Sequence, residues 1–423
     1  MLRRLALALI GVIVATFALA QTPSENILRM NAGIHPTYYC NYTNGSFCGG
    51  ESYSGPSLRT ITDATGAITY APNNLLTYSN TFSNAAWNKV SLSVTATNIP
   101  DPLGGNNAET ITSSSNGAYF FQQINNVGAS TIGISSMWIR RRSGSGQITL
   151  ATPNDVDTPI TVTSSWQQFY FVSSAGLSIN GHFDSAVSIQ KSGDAIDVYA
   201  ATISAVTYET TPRPSDQVIT TSATYYGPAF DINTPSVGAR ASGLRDEAAA
   251  TNLYLNSNAP ATQTITVVDG TTYTGSILGT GTQAFTGAFT ATLIGTANTL
   301  TQTTQAAATV TSLVATDTSL TATAYPQVEV GSFATSRIIT GASSVTRAAD
   351  TIGVTGLLAA LVVTNPVIVE QQSIATGVIS RTLYAKNTFA FAQGYWYRKL
   401  AAYPTTTPTS VLNQIVAMQR PMP

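Results

Sequence analysis

From residue 90 to residue 201 the chain is a succession of short β-like runs, and no helical period longer than a turn or two interrupts them. The runs occupy 90–97, 118–124, 132–140, 147–151, 160–163, 167–172 and 195–201, separated by stretches that contain Gly, Asn, Pro or Ser. Residues that alternate in polarity place every second side chain on one face of a sheet, while the punctuating residues supply the turns. Strands this short and this frequent predict an antiparallel sandwich, in particular a jelly roll.

A second series of the same kind follows a Ser/Thr/Pro-containing connector that begins at residue 212. It contains "QTITVVD", "TYTGSIL", "QAFTGAFTATLIG", "LTQTTQA", "TVTSLVAT" and "YPQVEVG". The series also open alike, with "NNLLTYSNTFSNAAW" at 73–87 and "TNLYLNSNAPATQ" at 251–263. The repeat distance is too long for a solenoid and indicates duplicated domains. The resulting map is an N-terminal segment over 21–72, a first jelly roll over 73–215, a connector over 216–250, a second jelly roll over 251–350 and a β region with a closing helix over 351–423.

Charge narrows the partners. Only 9% of residues are charged and the formal net charge is −1, which lacks the basic footprint of nucleic-acid binding. The chain is nonetheless 43% hydrophobic, with 19 Tyr and 14 Phe, so it has the material for cores. Its surface is uncharged and polar. At the N-terminus, Arg3 and Arg4 precede an apolar run over 5–20 that ends "FALAQ", the pattern of an export signal cleaved after Ala20. The run is short against the ~20 residues needed to span a bilayer. The two cysteines, Cys40 and Cys48, stand together in "YYCNYTNGSFCGGE", and behind such a signal they predict a disulfide. A structural zinc site needs four ligands and only His35 lies nearby, so no metal is assigned.

Several stretches taken together carry a resemblance: "APNNLLTYSNTFSNAAWNKVSLSVTA", "SSWQQFYF", "GLRDEAAATNLYLNSN" and "QVEVGSFATSRIITGASSVTRAAD". Over about 57–350 the chain resembles the modules of tailed-bacteriophage head-spike, head-fibre and tail-fibre proteins, which are carbohydrate-binding-module-like jelly rolls. The resemblance implies that 331–350 marks a module boundary, with Val328 and Val330 facing a core, Gly331 and Ser332 turning the chain and Phe333 plugging the rim. The ending "GYWYRKLAAYPTTTPTSVLNQIVAM" resembles the close of concanavalin-like domains in the same viral proteins. It predicts a reduced concanavalin-like region with a short last helix, capped by Thr407, with Pro408 in its first turn and Val411, Leu412, Ile415 and Val416 on one face.

The search for chemistry returns little. His35 and His182 are the two histidines, and neither sits in a nucleophile motif. "NGHFD" at 180–184 reads as a polar turn. Acidic pairs exist at Asp155 and Asp157 and at Asp246 and Glu247, but the separation that would define a glycosidase is invisible in sequence. "NDVD" has calcium-loop composition, with a solvated loop preferred. No catalytic residue and no cofactor is assigned. "IRRRSGSG" at 139–146 is the one basic cluster, and alternation puts Arg140 and Arg142 opposite Arg141. It reads first as an edge strand protected by charge. Its functional reading adds Trp138, on the same face as Arg140.

On the two strands containing 137–140 and 168–171, Met137, Ile139, Phe169 and Phe171 form the apolar side. Trp138, Arg140, Gln168 and Tyr170 form the other, which has the stacking surface and donors of a shallow sugar site. The expectation is a non-enzymatic phage or prophage fibre or spike protein, carried on the virion surface among other virion proteins and adhesive toward cell-surface polysaccharide. A secreted bacterial carbohydrate-binding protein built of the same modules is the alternative, favoured by the export signal. A depolymerising tailspike-like enzyme comes third. Head or tail location, glycan and oligomeric state are left open, and no heptad stalk argues for a trimer.

Overall fold

The computed structural model describes residues 36–417 apart from 56, 126–131, 152–156, 174–181, 207–209, 233–242, 309–310, 322–323, 375 and 377. The export-like run, His35 and Asp155 lie outside the described residues. Among the described residues the regular structure is mostly antiparallel β-strand, with two short α-helices.

The first jelly roll packs two five-stranded sheets. One has the order Gln167–Ser173, Ile132–Ser143, Ala195–Val206, Ala108–Ser113, Leu92–Ile99, and the other Asp157–Ile160, Ile148–Ala151, His182–Ile189, Ala118–Asn125, Asn88–Val90. Between them lie Met137, Ile139, Phe120, Phe183, Val187, Ile196, Val198 and Ile203, closed at one end by Leu76, Phe82 and Trp87. The second sandwich is smaller. Its four-stranded sheet runs Gln263–Thr266, Ser312–Asp317, Gly281–Gly287, Ala291–Gly295, and its three-stranded sheet Leu300–Ala306, Thr272–Leu278, Gln327–Val330, around Tyr254, Ile277, Phe285 and Leu313.

The two opening strands use the same lock. Asn74 Nδ2 donates to the carbonyls of Ala201 (3.1 Å) and Val218 (2.8 Å), and its Oδ1 accepts from the amides of Leu76 (3.1 Å) and Ile203 (3.3 Å). Asn252 Nδ2 donates to Pro326 (3.2 Å) and Ile338 (2.8 Å), and its Oδ1 accepts from Tyr254 (3.0 Å) and Val328 (3.1 Å). Ser79 and Thr220 exchange amide-to-hydroxyl bonds of 3.2 and 2.9 Å, as Ser257 and Thr340 do at 3.1 and 2.9 Å. The Gln122 side chain clamps the Thr77 backbone, and Gln263 clamps that of Leu255. Two pairs of left-handed residues also correspond, Tyr78 (φ 47°) with Asn256 (φ 50°) and Ala200 (φ 48°) with Tyr325 (φ 41°). An asparagine that satisfies four backbone groups at once fixes where an opening segment crosses the last strand, and this explains why the Asn–x–apolar pattern occurs twice.

The third body draws on distant parts of the chain. Strands Ala229–Asp231, Gly243–Asp246, Tyr395–Ala402, Val367–Ser373 and Ile379–Tyr384 form one sheet, and Tyr38–Asn41 pairs beside Gly243–Asp246 on the same edge of Tyr395–Ala402. The segments 21–72 and 216–250, separated from 351–423 in the sequence reading, thus supply strands to its sheet. Helix α1 (Gly356–Thr364) packs Leu358 and Val362 on one face, with Val367, Val369 and Leu400. Helix α2 (Thr409–Ala417) packs Leu412, Ile415 and Val416 on the other, with Ile368 and Ala401. It starts one position later than the sequence suggests, because the Pro408 carbonyl accepts from Val411 (3.0 Å) and Leu412 (3.2 Å). Cys40 and Cys48 are joined at 2.01 Å, and Cys40 is buried in the α1 core. Their neighbour Glu51 accepts from the hydroxyls of Tyr38 (2.9 Å) and Tyr42 (3.0 Å).

The stretch at 326–350 lies where the three bodies meet. Val328 is buried but Val330 is exposed, contrary to the alternation, because Gly331 (φ 131°) turns the chain directly after it. Phe333 packs edge-on against Trp396 of the third sheet at 5.3 Å. Asp350 takes Arg59 Nε at 2.7 Å, the Tyr53 hydroxyl at 2.9 Å and the Glu247 amide at 3.1 Å. Arg245 pairs with Asp231 at 2.8 Å and with Glu247, and it donates to the Thr60 carbonyl. Arg347 approaches Glu247 at 3.4 Å, and Ser336 donates its amide to Glu247 at 2.8 Å. A chain with few charges therefore spends a share of them on a buried junction.

Two carboxyls at this junction are held neutral more readily than usual. Burial first, then the negative charges of Asp350 and Glu247, push Asp246 up to about 7, and burial pushes Glu329 up to about 7. A raised carboxyl favours the folded state below the unfolded value, near 4, and that contribution is lost as pH rises through about 7. Asp246→Asn is therefore expected to raise the melting temperature at pH 8 by several degrees while leaving it nearly unchanged at pH 4. Thermal melts of both proteins across that window test this, and equal gains at both pH values would remove titration as the cause.

Candidate functional site

The outward face of the sheet built on Ile132–Ser143 gathers the four residues singled out for glycan binding. Trp138 stands opposite Gln168, and Ser136 opposite Tyr170, across the pair with Gln167–Ser173. On the other side Trp138 faces Tyr199 and Arg140 faces Asp197. Met137 and Ile139 point into the core, with Phe169 and Phe171 packed against it, so the alternation reads correctly.

The strand itself refines one expectation. Ile132–Ser143 is flanked on both sides as far as Ile139, where its pairing with Gln167–Ser173 ends, so Arg140–Arg142 continue beside Ala195–Val206 with, among the described residues, only the Arg141 amide bonded on the other side, to the Thr163 carbonyl at 2.6 Å. They also answer buried carboxylates. Asp197, 1% exposed, accepts from Arg140 Nε at 2.8 Å, Arg142 Nε at 3.0 Å and the Thr110 hydroxyl at 2.6 Å. Arg141, on the opposite face, reaches Asp194 at 3.2 Å.

A bulge shapes the site. Between Ser136/Thr202 and Trp138/Tyr199 the register slips, placing Ala200 and Ala201 against Met137. Ala200 is left-handed, and its amide is held by Asn80 Oδ1 at 2.8 Å. Tyr199 and Ala200 then join Ile99 and Ala108 in a small apolar cluster on which Trp138 and Trp166 rest. The Arg140 guanidinium lies 4.7 Å over Trp166, not over Trp138. Trp166 Nε1 donates to the Pro100 carbonyl at 3.2 Å, tying the face to the following loop. That loop is organised by Asp101, which accepts from Leu103, Gly105 and Asn107 and has its carboxyl lowered by those bonds against the opposing effect of burial. Trp138 Nε1 is buried without a partner, and Tyr170 is 44% exposed.

Trp166, Asp197 and Tyr199 escaped the sequence reading. Asp197 and Tyr199 alternate with Ile196 and Val198, so the period-2 rule already placed them outward. Trp166 precedes its strand, where alternation says nothing. The other nominated residues divide differently. Asp246 and Glu247 are buried in the junction, Glu247 held by arginines, which makes them structural. Asp157 and His182 each begin a strand.

No family model and no curated protein matches the chain. Among solved structures it is similar to the enzymatically active domain of tailspike protein 4 of bacteriophage CBA120, at 14% identity and TM-score 0.24, over 32% of this chain and 21% of that one. It is also similar to the CBM22-1 xylan-binding domain of Paenibacillus barcinonensis Xyn10C, at 11% identity and TM-score 0.23, over 37% of this chain and 99% of that one. The CBM22-1–CBM22-2 tandem of that protein gives 10% identity and TM-score 0.25, over 70% and 100%. The match spans about a fifth of the tailspike domain. Scores this low carry no functional argument, and the fold assignment rests on the strand order above.

Proposed function

We propose that this chain is a non-enzymatic fibre or spike protein of a phage or prophage virion, and that the outward face bearing Trp138, Trp166, Gln168 and Tyr170 binds a cell-surface polysaccharide. The observation that supports this most is the preorganised mixture on that face. Aromatic rings rest on a bulge-supported apolar cluster, and beside them Arg140 is fixed from below by Asp197 while Gln168 Nε2 donates to Ser136 Oγ at 3.4 Å. Rings with oriented donors suit the apolar and hydroxyl faces of a sugar, and fixing the donors in advance lowers the entropy cost of binding.

Tyr170→Ala with Gln168→Ala is expected to reduce binding of the whole chain to host cells at least tenfold. The melting temperature should move little, since surface changes typically fall within about 0.5 kcal/mol. Unchanged retention would make the face a spacer. The export-like N-terminal run favours a secreted adhesive protein as the second reading. Mass spectrometry separates the two, with peptides in purified particles supporting the virion role and peptides confined to the culture medium supporting secretion.

A further inference from the structure

A cavity of about 530 Å³ opens between the two sandwiches, lined by Leu75, Ile124 and Tyr226 from the first and by Arg337, Ile339 and Thr346 from the second. Arg337 also lines a smaller cavity of about 120 Å³, so its guanidinium stands between the two. The side chain is 8% exposed, its Nε and Nη2 have no hydrogen-bond partner, and it lies over the rings of Tyr70 (4.6 Å) and Tyr325 (3.9 Å). Tyr325 holds a left-handed backbone conformation (φ 41°) that a bulky residue adopts only under constraint. Burial alone lowers this arginine to about 9, with no carboxylate pulling the other way, so it stays charged at neutral pH. The neighbouring Arg347 is engaged by Glu247 and by the Ala248 carbonyl at 3.0 Å.

The fold lock does not require this cation. Thr340 and Ile338 repeat the roles of Thr220 and Val218, yet the residue corresponding to Arg337 in the first sandwich is Gln217. The guanidinium meets two aromatic rings but no carboxylate, and a buried cation without a counter-charge is costly. The cavity is in the size range of small-molecule sites, about 300–1,000 Å³. Its walls join apolar surface to the polar side chains of Ser57, Thr224, Tyr226 and Thr346, which fits a ligand with apolar C–H faces, several hydroxyls and one negative group.

We infer that this interdomain cavity is a second saccharide site, specific for a hexuronate residue whose carboxylate is drawn to Arg337. It is separate from the outward face of the first sandwich. Isothermal titration of the whole chain with D-glucuronate and D-galacturonate, against D-glucose and acetate, tests it. At least one uronate should bind ten times or more tighter than glucose and acetate. Arg337→Gln should abolish that binding, while Arg337→Lys retains part of it. Thr346→Trp, a substitution at an exposed position of the cavity wall, should block binding while leaving Arg337 in place, which covers the case in which Arg337→Gln does not fold. Tyr170→Ala should bind uronate as wild type does. Absence of uronate binding by the wild-type chain, acetate binding as tight as uronate, or undiminished binding by Thr346→Trp would each overturn the assignment.

Discussion

Arg245→Ala is expected to destabilise the chain by about 3–5 kcal/mol, the usual cost of removing one partner from a buried ion pair. Arg245 is fully buried and neutralises Asp231 and Glu247, which are themselves buried. Truncation leaves two carboxylates without their main counter-charge and the Thr60 carbonyl without its donor. Asp231 would still accept from Trp396 Nε1 at 2.9 Å and from the Thr62 amide at 2.7 Å, and Glu247 would retain Arg347 at 3.4 Å, so the loss is large but not total. Urea unfolding followed by tryptophan fluorescence gives the value, because Trp396 reports on this junction. A cost under about 1 kcal/mol would mean that the network relaxes or hydrates, and that apolar packing holds the bodies together. Such networks can be neutral against an apolar replacement, so the test concerns the broken pair and not the net worth of the intact cluster.

The all-β class, most strands of the first sandwich and the inward and outward faces of two of its strands were legible, because period-2 polarity is a local signal. Met137 and Trp138 fall on opposite sides as alternation requires. What alternation does not contain is which distant strands share a sheet. Residues 216–250 look like a linker because small residues, Pro, Ser, Thr, Ala and Gly, outnumber large apolar ones, yet Phe230 and Leu244 enter the third core beside Cys40. That the arginines of 140–142 answer carboxylates was not legible, because their partners, Asp194 and Asp197, lie on another stretch of chain. The outward face proposed for glycan binding was visible in four residues and incomplete without Trp166, which a cation–π contact and not a strand period brings into place. The interdomain cavity was invisible, since it needs both sandwiches in position, although Arg337 lay within the stretch of greatest resemblance.

The asparagine locks provide the other large effect and a way to ask how independent the modules are. Asn252→Ala removes four bonds from buried surroundings and strands the carbonyls of Pro326 and Ile338 and the amides of Tyr254 and Val328. At about 1–3 kcal/mol for each group left unsatisfied, and allowing for partial rescue by water, the loss should be at least about 3 kcal/mol. Asn74→Ala removes the corresponding four bonds in the first sandwich and should cost a similar amount. Hydrogen exchange then distinguishes where each loss is felt. Asn252→Ala should deprotect Thr272–Leu278 and Gln327–Val330 while Ile132–Ser143 stays protected, and Asn74→Ala should reverse the pattern. If either variant instead deprotects both sandwiches together, the charged junction couples them into one cooperative unit. Stretch 326–350 supports both outcomes structurally, since it closes the second lock through Val328, Ile338 and Thr340 and enters the junction through Ser336, Arg347 and Asp350. Module-selective deprotection would make the lock the stronger of its two roles, and global deprotection would give that place to the junction.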